Sequence, residues 1–157
     1  MKITILKILA MLLLAGSFSS CSDDDIDMSE IDFGNIEDLY AQPLPVIEKC
    51  VQGKWKWIES CGGYVGCRYV DNTFVDIKKD HVVIDYADGT QGTFYFTYKK
   101  RLAYCVGNEE YTYVMWNKDN NEAFWYFTSI KNDTLSVGHS PLTGNYPRFE
   151  SSFVRIK

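Results

Sequence analysis

The stretch Gly53-Lys54-Trp55-Lys56-Trp57-Ile58-Glu59-Ser60 decides how the rest of the chain is read. Before it lie an export signal, a tether and a short lead-in. After it come short strands that need a first strand to close against. The chain ends Phe153-Val154-Arg155-Ile156-Lys157, and this ending is the expected partner of the opening strand.

Working outward, strand patterns recur at 54–60, 68–78, 81–87, 92–99, 101–106, 110–117, 122–130, 133–138 and 148–156. Turn-forming residues separate them: Lys79-Asp80, Ala87-Asp88-Gly89, Gly107-Asn108, Lys118-Asp119-Asn120-Asn121 and Asn132-Asp133. The one long connection is 139–147, which contains Pro141, Gly144 and Pro147. Sequential hairpins make a meander, and a long meander removes its exposed edges by closing on itself. No stretch of crossover-helix length separates the strands, which argues against a parallel sheet. A 15% aromatic content from 11 Tyr, 9 Phe and 4 Trp favours the same all-β class. Just ahead of Gly53, Pro45 suits a first helical position and Val46, Ile47, Cys50 and Val51 recur at helical spacing. The fold expected is an all-β, antiparallel up-and-down barrel of eight to nine strands with a short N-terminal helix.

Gly53-Lys54-Trp55 at the start, the run of short strands, and Arg155 in the closing strand together resemble the lipocalin-like (calycin) barrels. The resemblance spans about 45–157 and lacks the Thr-Asp-Tyr motif of the best-known lipocalins. It implies structural roles for Gly53, Trp55 and Arg155, with the Trp under the barrel floor and the Arg lying across its indole. Such a cation–π contact is worth about 0.5–2 kcal/mol.

The leader points to an address. Lys2 and Lys7 precede the apolar run Ile8–Ala15, and Gly16, Ser17, Ser19 and Ser20 follow it, the layout of a secretory signal too short to span a bilayer. Leu14-Ala15-Gly16-Ser17-Phe18-Ser19-Ser20-Cys21 resembles the loose lipobox of Bacteroidetes lipoproteins, with Phe18 where Leu is usual. That resemblance implies lipidation at Cys21. Ser22-Asp23-Asp24-Asp25 is similar to the acidic signal that sends such lipoproteins to the cell surface, the periplasmic face of the outer membrane being the alternative. The organisation expected is a signal peptide at 1–20, a lipidated acidic tether at 21–44, and the barrel at 45–157. From Asp23 to Asp38 there are eight carboxylates and no Lys or Arg, so this part is expected to stay mobile.

All 21 acidic residues follow Cys21 while two of the 16 Lys and Arg precede it, leaving −7 on the chain from Cys21 onward. Such a surface disfavours nucleic acid and anionic headgroups as partners, so the membrane is expected to be reached through the lipid anchor. Cys50, Cys61, Cys67 and Cys105 allow three complete disulfide pairings. A first strand roughly 20–30 Å long holds Cys50 and Cys61 apart. The glycine-rich run between Cys61 and Cys67 can bring its ends together, so this bridge is expected, and Cys50–Cys105 follows by elimination. A four-Cys zinc site has no Cys-x-x-Cys pair behind it.

His81 and His139 read as solvated loop histidines without a partner at metal-ligand spacing. No nucleophile elbow and no defensible acid–base pair is present, so neither catalysis nor a cofactor is expected. Asp133-Thr134-Leu135 matches the Bacteroidetes O-glycosylation pattern, which marks Thr134.

Alternation supplies the interior. Phe94, Phe96 and Tyr98 share one face, as do Tyr111, Tyr113 and Met115. In 122–130 both faces are apolar, Phe124, Tyr126 and Ile130 on one and Trp125 and Phe127 on the other, so one face must be covered. The lumen candidates are Trp57, Phe94, Phe96, Tyr98, Tyr111, Tyr113, Phe124 and Tyr126. Aromatic bodies with phenolic tips suit a small apolar or amphipathic ligand. The competing expectation is an interaction protein with a filled barrel, an inhibitor or accessory subunit that uses the loops at 60–68 and 139–147.

Overall fold

A computed structural model describes residues 26–62, 66–105, 108–139 and 149–157, without the side chains of 104, 105, 108 and 109. The leader, Cys21, the Cys105 side chain and most of the 139–147 connection lie outside the described residues. Residues up to Ile31 form a unit of their own, in which Met28–Glu30 is a single 3-10 turn capped by the Asp27 carboxylate. Residues from Asp32 onward form the barrel unit.

Helix α1 (Leu44–Val51) carries Pro45 in its first turn and buries Val46, Ile47, Cys50 and Val51, the spacing that marks an amphipathic helix. Gly53 then adopts φ 118°, a value that L side chains rarely reach, and so turns the helix directly into the first strand. Eight antiparallel strands follow: β1 (Gly53–Gly62), β2 (Cys67–Ile77), β3 (His81–Asp85), β4 (Gln91–Cys105), β5 (Asn108–Asn117), β6 (Ala123–Lys131), β7 (Thr134–His139) and β8 (Phe149–Arg155). They pair in sequence order, and β1 closes on β8, with Trp55 opposite Arg155 and Trp57 opposite Phe153. The β6–β7 turn places Asn132 at φ 50° and Asp133 at φ 59°, the left-handed pair that a two-residue hairpin demands. Among the described residues, no helix is long and apolar enough to cross a membrane.

Among the described residues the strands number eight, because the stretches expected at 92–99 and 101–106 fall in the one strand β4, described as far as Cys105. Lys99-Lys100-Arg101 does not break it. The cations alternate over rings on β5, with Lys99 Nζ 4.3 Å and Arg101 5.3 Å from the Trp116 ring centre and Lys100 Nζ 5.8 Å from that of Tyr113. β3 pairs with β4 only as far as Tyr95, and β5 takes over from Phe96. The β4–β5 hairpin therefore extends past the rest of the wall.

Part of the segment expected to be a mobile tether belongs to the barrel unit, which begins at Asp32. β5 pairs with β6 only from Val114↔Tyr126 to Trp116↔Ala123, which leaves the far end of β6 without a neighbour. Ile36 fills that place, exchanging 2.7 Å backbone hydrogen bonds with Ile130 in both directions. Leu39 follows, fully buried, in a 3-10 turn (Leu39–Ala41) that packs against β5 and β6. From Ile36 to Leu39 the acidic run is held to the barrel, because backbone pairing and apolar burial outweigh the repulsion of its carboxylates. This segment, rather than α1, covers the second apolar face of β6: Tyr40 packs on a cluster of Ala103, Val114 and Tyr126.

The floor is built around Trp55, which is fully buried and donates its indole N–H to Val51 O at 2.8 Å. The Arg155 guanidinium lies over the Trp55 ring, 4.2 Å from its centre. Its Nη2 donates to Cys50 O at 2.6 Å and its Nη1 to Gln52 O at 3.4 Å. Helix C-termini leave carbonyls without partners and carry partial negative charge, so one cation both caps α1 and ties it to the closing strand. Cys50 is a free, buried thiol, which overturns its pairing with Cys105. Burial raises its pKa to about 11 against the opposing pull of Arg155, and the thiol stays neutral.

Candidate functional site

Three strand irregularities and the barrel closure assemble the interior. Between Met115 and Trp116 the β5–β6 register slips, so that Phe124 is an extra residue on β6. A bulge lets two consecutive side chains face one way, and here the Phe124 and Trp125 rings stack at 4.3 Å. Phe124 continues onto Phe94 of β4 at 5.3 Å. Trp125 reaches Phe153 at 5.3 Å, His139 at 6.1 Å and Trp57 at 6.4 Å. Trp57 completes the set, 5.2 Å from Phe153 and stacked with His139 at 6.4 Å. Its indole N–H donates to Glu59 O at 3.0 Å, an acceptor placed by the β1 irregularity between Trp57 and Glu59.

A short polar row crosses this aromatic interior. His139 Nε2 lies 2.7 Å from Ser151 Oγ, and Ser151 Oγ donates to Ser60 Oγ at 3.2 Å. Ser151 is 1% exposed and bonds both His139 and Ser60, so the row holds the His139 ring in place. Burial lowers the His139 pKa from 6.5 to about 4, and the ring is neutral at pH 7. The solvated-loop reading of His139 is therefore corrected: it ends β7 and faces inward. Its neutral form contributes stability above pH 6.5 that is lost as pH falls through 4, because the unfolded chain takes the proton first. Allowing for the ring's partial exposure, the expected loss is on the order of 2 kcal/mol. Urea titrations at pH 7 and pH 4 should show this extra acid sensitivity in the parent and not in His139→Gln; equal slopes in the two proteins would contradict it.

The sequence-derived lumen residues divide. Trp57, Phe94 and Phe124 are half-buried members of the interior ring set. Phe96 is buried and meets Tyr98 edge-on at 5.2 Å. The Tyr98 pKa is raised by burial and by the Glu48 carboxylate of α1, which places it at the helix-covered end. Tyr113 is half-buried under Lys100, whereas Tyr111 is 68% exposed. Tyr111 is corrected as a lumen residue because it pairs with Leu102 in the part of the hairpin that runs past the barrel wall. Tyr126 is corrected as well. It pairs with Val114 and Gly138 on the outer face, and its ring lies where a side chain at 138 would stand. Sequence reasoning missed Trp125, Phe153, His139 and Ser151 as interior groups. The alternation of Trp125 and Phe127 was visible, but the bulges that decide which face turns inward leave no composition signal.

At the rim, Cys61 and Cys67 are directly opposed on β1 and β2 and form the expected disulfide. With Glu59 they are the one grouping of metal-ligand types within reach of each other among the described residues, and the bridge occupies both sulfurs. A cavity of about 190 Å³ lies beside it, between Ser60, Arg68 and Phe149. Outside the wall, a groove of about 420 Å³ runs between Lys54, Phe74, Val83, Asp85 and Ile156. Thr134 opens β7, half-buried between Lys131 and Val154 of the flanking strands.

No protein-family model, curated protein or solved structure matches the chain.

Proposed function

We propose that this protein is a lipocalin-like lipoprotein, held at the outer membrane by acylation of Cys21, that keeps a small, largely apolar ligand in its aromatic interior. The observation that carries the reading is the continuous ring series Phe94–Phe124–Trp125–Trp57–His139. Four of its members, Phe94, Phe124, Trp57 and His139, are only partly buried although all belong to the interior set. Partly buried rings in contact with one another suit a flat or ring-bearing ligand that inserts among them. The acidic stretch after Cys21 supports display on the cell surface, with the periplasmic face as the other location. No catalytic role, cofactor or nucleic acid enters this reading.

Native mass spectrometry of the protein extracted from its own membranes tests it. The parent is expected to retain a small-molecule adduct that Trp57→Ala loses, and Cys21→Ala should move the protein to the soluble fraction. The runner-up is a docking protein that uses its rim, and Tyr69, 86% exposed on β2 near the disulfide, favours it. An adduct-free parent that co-purifies with another protein, and loses it in Tyr69→Ala, would replace the ligand reading with this one.

A further inference from the structure

Among the described residues, the interior contains one buried side-chain polar group without a hydrogen-bond partner. Trp125 is 1% exposed, and its Nε1 has no hydrogen-bond partner among the described residues. The other polar groups of the interior row are satisfied by one another, His139 by Ser151 and Ser151 by Ser60. The Trp57 indole N–H has Glu59 O and the Trp55 indole N–H has Val51 O. Among these three buried or half-buried indoles, only that of Trp125 stands unsatisfied. An indole N–H can donate and cannot accept, so the group that completes it must be an acceptor. Burying such a donor unpaired is costly, and native structures seldom leave one so without a reason outside the chain. The other two orphaned atoms, Asp76 Oδ1 and Thr112 Oγ1, do not compete. Asp76 lies on the outer groove with its second oxygen 2.7 Å from Lys78, and Thr112 faces outward beside Val114's cluster, paired with Arg101 on β4.

We propose that the ligand of the interior carries a hydrogen-bond-accepting oxygen, a carbonyl, carboxylate or ether, on a flat apolar body, and that Trp125 Nε1–H binds this oxygen. The inference rests on the interior-ligand reading above and narrows it to a chemical class. The rings set the shape requirement: Phe124 covers one face of the Trp125 indole at 4.3 Å, while Trp57 and His139 meet it edge-on at 89° and 85°. A ligand that parts the half-buried Trp57 and His139 rings reaches the indole edge with its apolar body between aromatic faces. A hydrocarbon of the same shape gains the ring contacts and leaves the N–H unpaired. Selectivity for the oxygen is then a direct property of this one side chain.

Acetophenone and α-methylstyrene, nearly equal in shape and differing as C=O against C=CH₂, serve as probes. Calorimetric titration of the parent should show acetophenone binding about tenfold more tightly, the size expected of one buried hydrogen bond. Trp125→Phe, shown to be folded by its thermal transition, should remove that preference, so that the ratio of the two affinities falls from about tenfold to about one whatever ring contact both probes lose. A measurement that needs no variant accompanies it: in the parent's NMR spectrum one indole N–H resonance, that of Trp125, should move downfield with acetophenone and not with α-methylstyrene. Equal affinity for both probes, or no selective N–H shift, overturns the inference and leaves the interior site standing. That result is also the one expected if the N–H points at the π face of Trp57 or His139. Binding of neither probe at millimolar concentration overturns the inference and the interior-ligand reading together.

Discussion

Trp55→Ala is expected to lower the unfolding free energy by about 3–5 kcal/mol, the range for emptying a fully buried Trp site. The substitution removes more than an indole volume. It deletes the donor to Val51 O and the surface on which the Arg155 guanidinium rests, and Arg155 is also the group that caps α1 through Cys50 O and Gln52 O. For a domain with a typical stability of about 5–15 kcal/mol, this change is large enough to bring unfolding near working temperature. Trp55→Phe keeps a ring but loses the N–H, and should cost less than Trp55→Ala. Guanidinium unfolding of the three proteins gives the order directly. A Trp55→Ala protein within about 1 kcal/mol of the parent would sink the floor assignment.

The second large effect is expected at Gly138. The Tyr126 ring lies against this glycine on the outer face of the β6–β7 pair, and a Cβ there would collide with the ring and its hydroxyl. Gly138→Val must therefore displace Tyr126 from its packing on Ala103 and Val114 or push the two strands apart. Overpacking of this kind costs about 1–3 kcal/mol, and the upper part of that range is expected because the Tyr126 ring cannot swing aside without giving up its packing on Ala103 and Val114. The specific mark of the mechanism is non-additivity. In Tyr126→Ala the obstacle is gone, so adding Gly138→Val to it should cost less than adding it to the parent, with a coupling of about 1 kcal/mol or more. Thermal unfolding of the four proteins measures it; additive losses would show that the two residues do not share the space.

Much of the fold was legible in the chain. Turn residues at short intervals, Gly53 ahead of the first strand and the α1 spacing are local signals, and each acts within a few residues of where it is read. The Cys61–Cys67 bridge belongs with them, since a short glycine-rich loop closes without help from elsewhere. The site was harder to read. Strand alternation assigns faces only while the register holds, and β6 contains slips between Ala123 and Trp125, opposite Met115 and Trp116 of β5, and between Phe127 and Ser129. Each slip exchanges inside for outside, which is why Tyr126 was placed in the lumen and Trp125 was not. His139 was read as a loop residue because its strand partners, Trp125 and Phe149, are 14 and 10 positions away in the chain.

By itself the sequence determined the class of architecture, an antiparallel barrel of sequential hairpins behind a short helix, because propensity and turn chemistry are properties of neighbouring residues. The tertiary structure alone decided where the acidic segment joins the barrel, which aromatic rings meet and which polar group is left over. Ile36 stops being linker only because β5 departs from β6 and exposes an edge that its backbone can pair. Trp125 becomes the unsatisfied donor only because the closed barrel surrounds it with rings and pairs the interior His and Ser with one another. Both outcomes depend on contacts between distant segments, whose register no local pattern encodes.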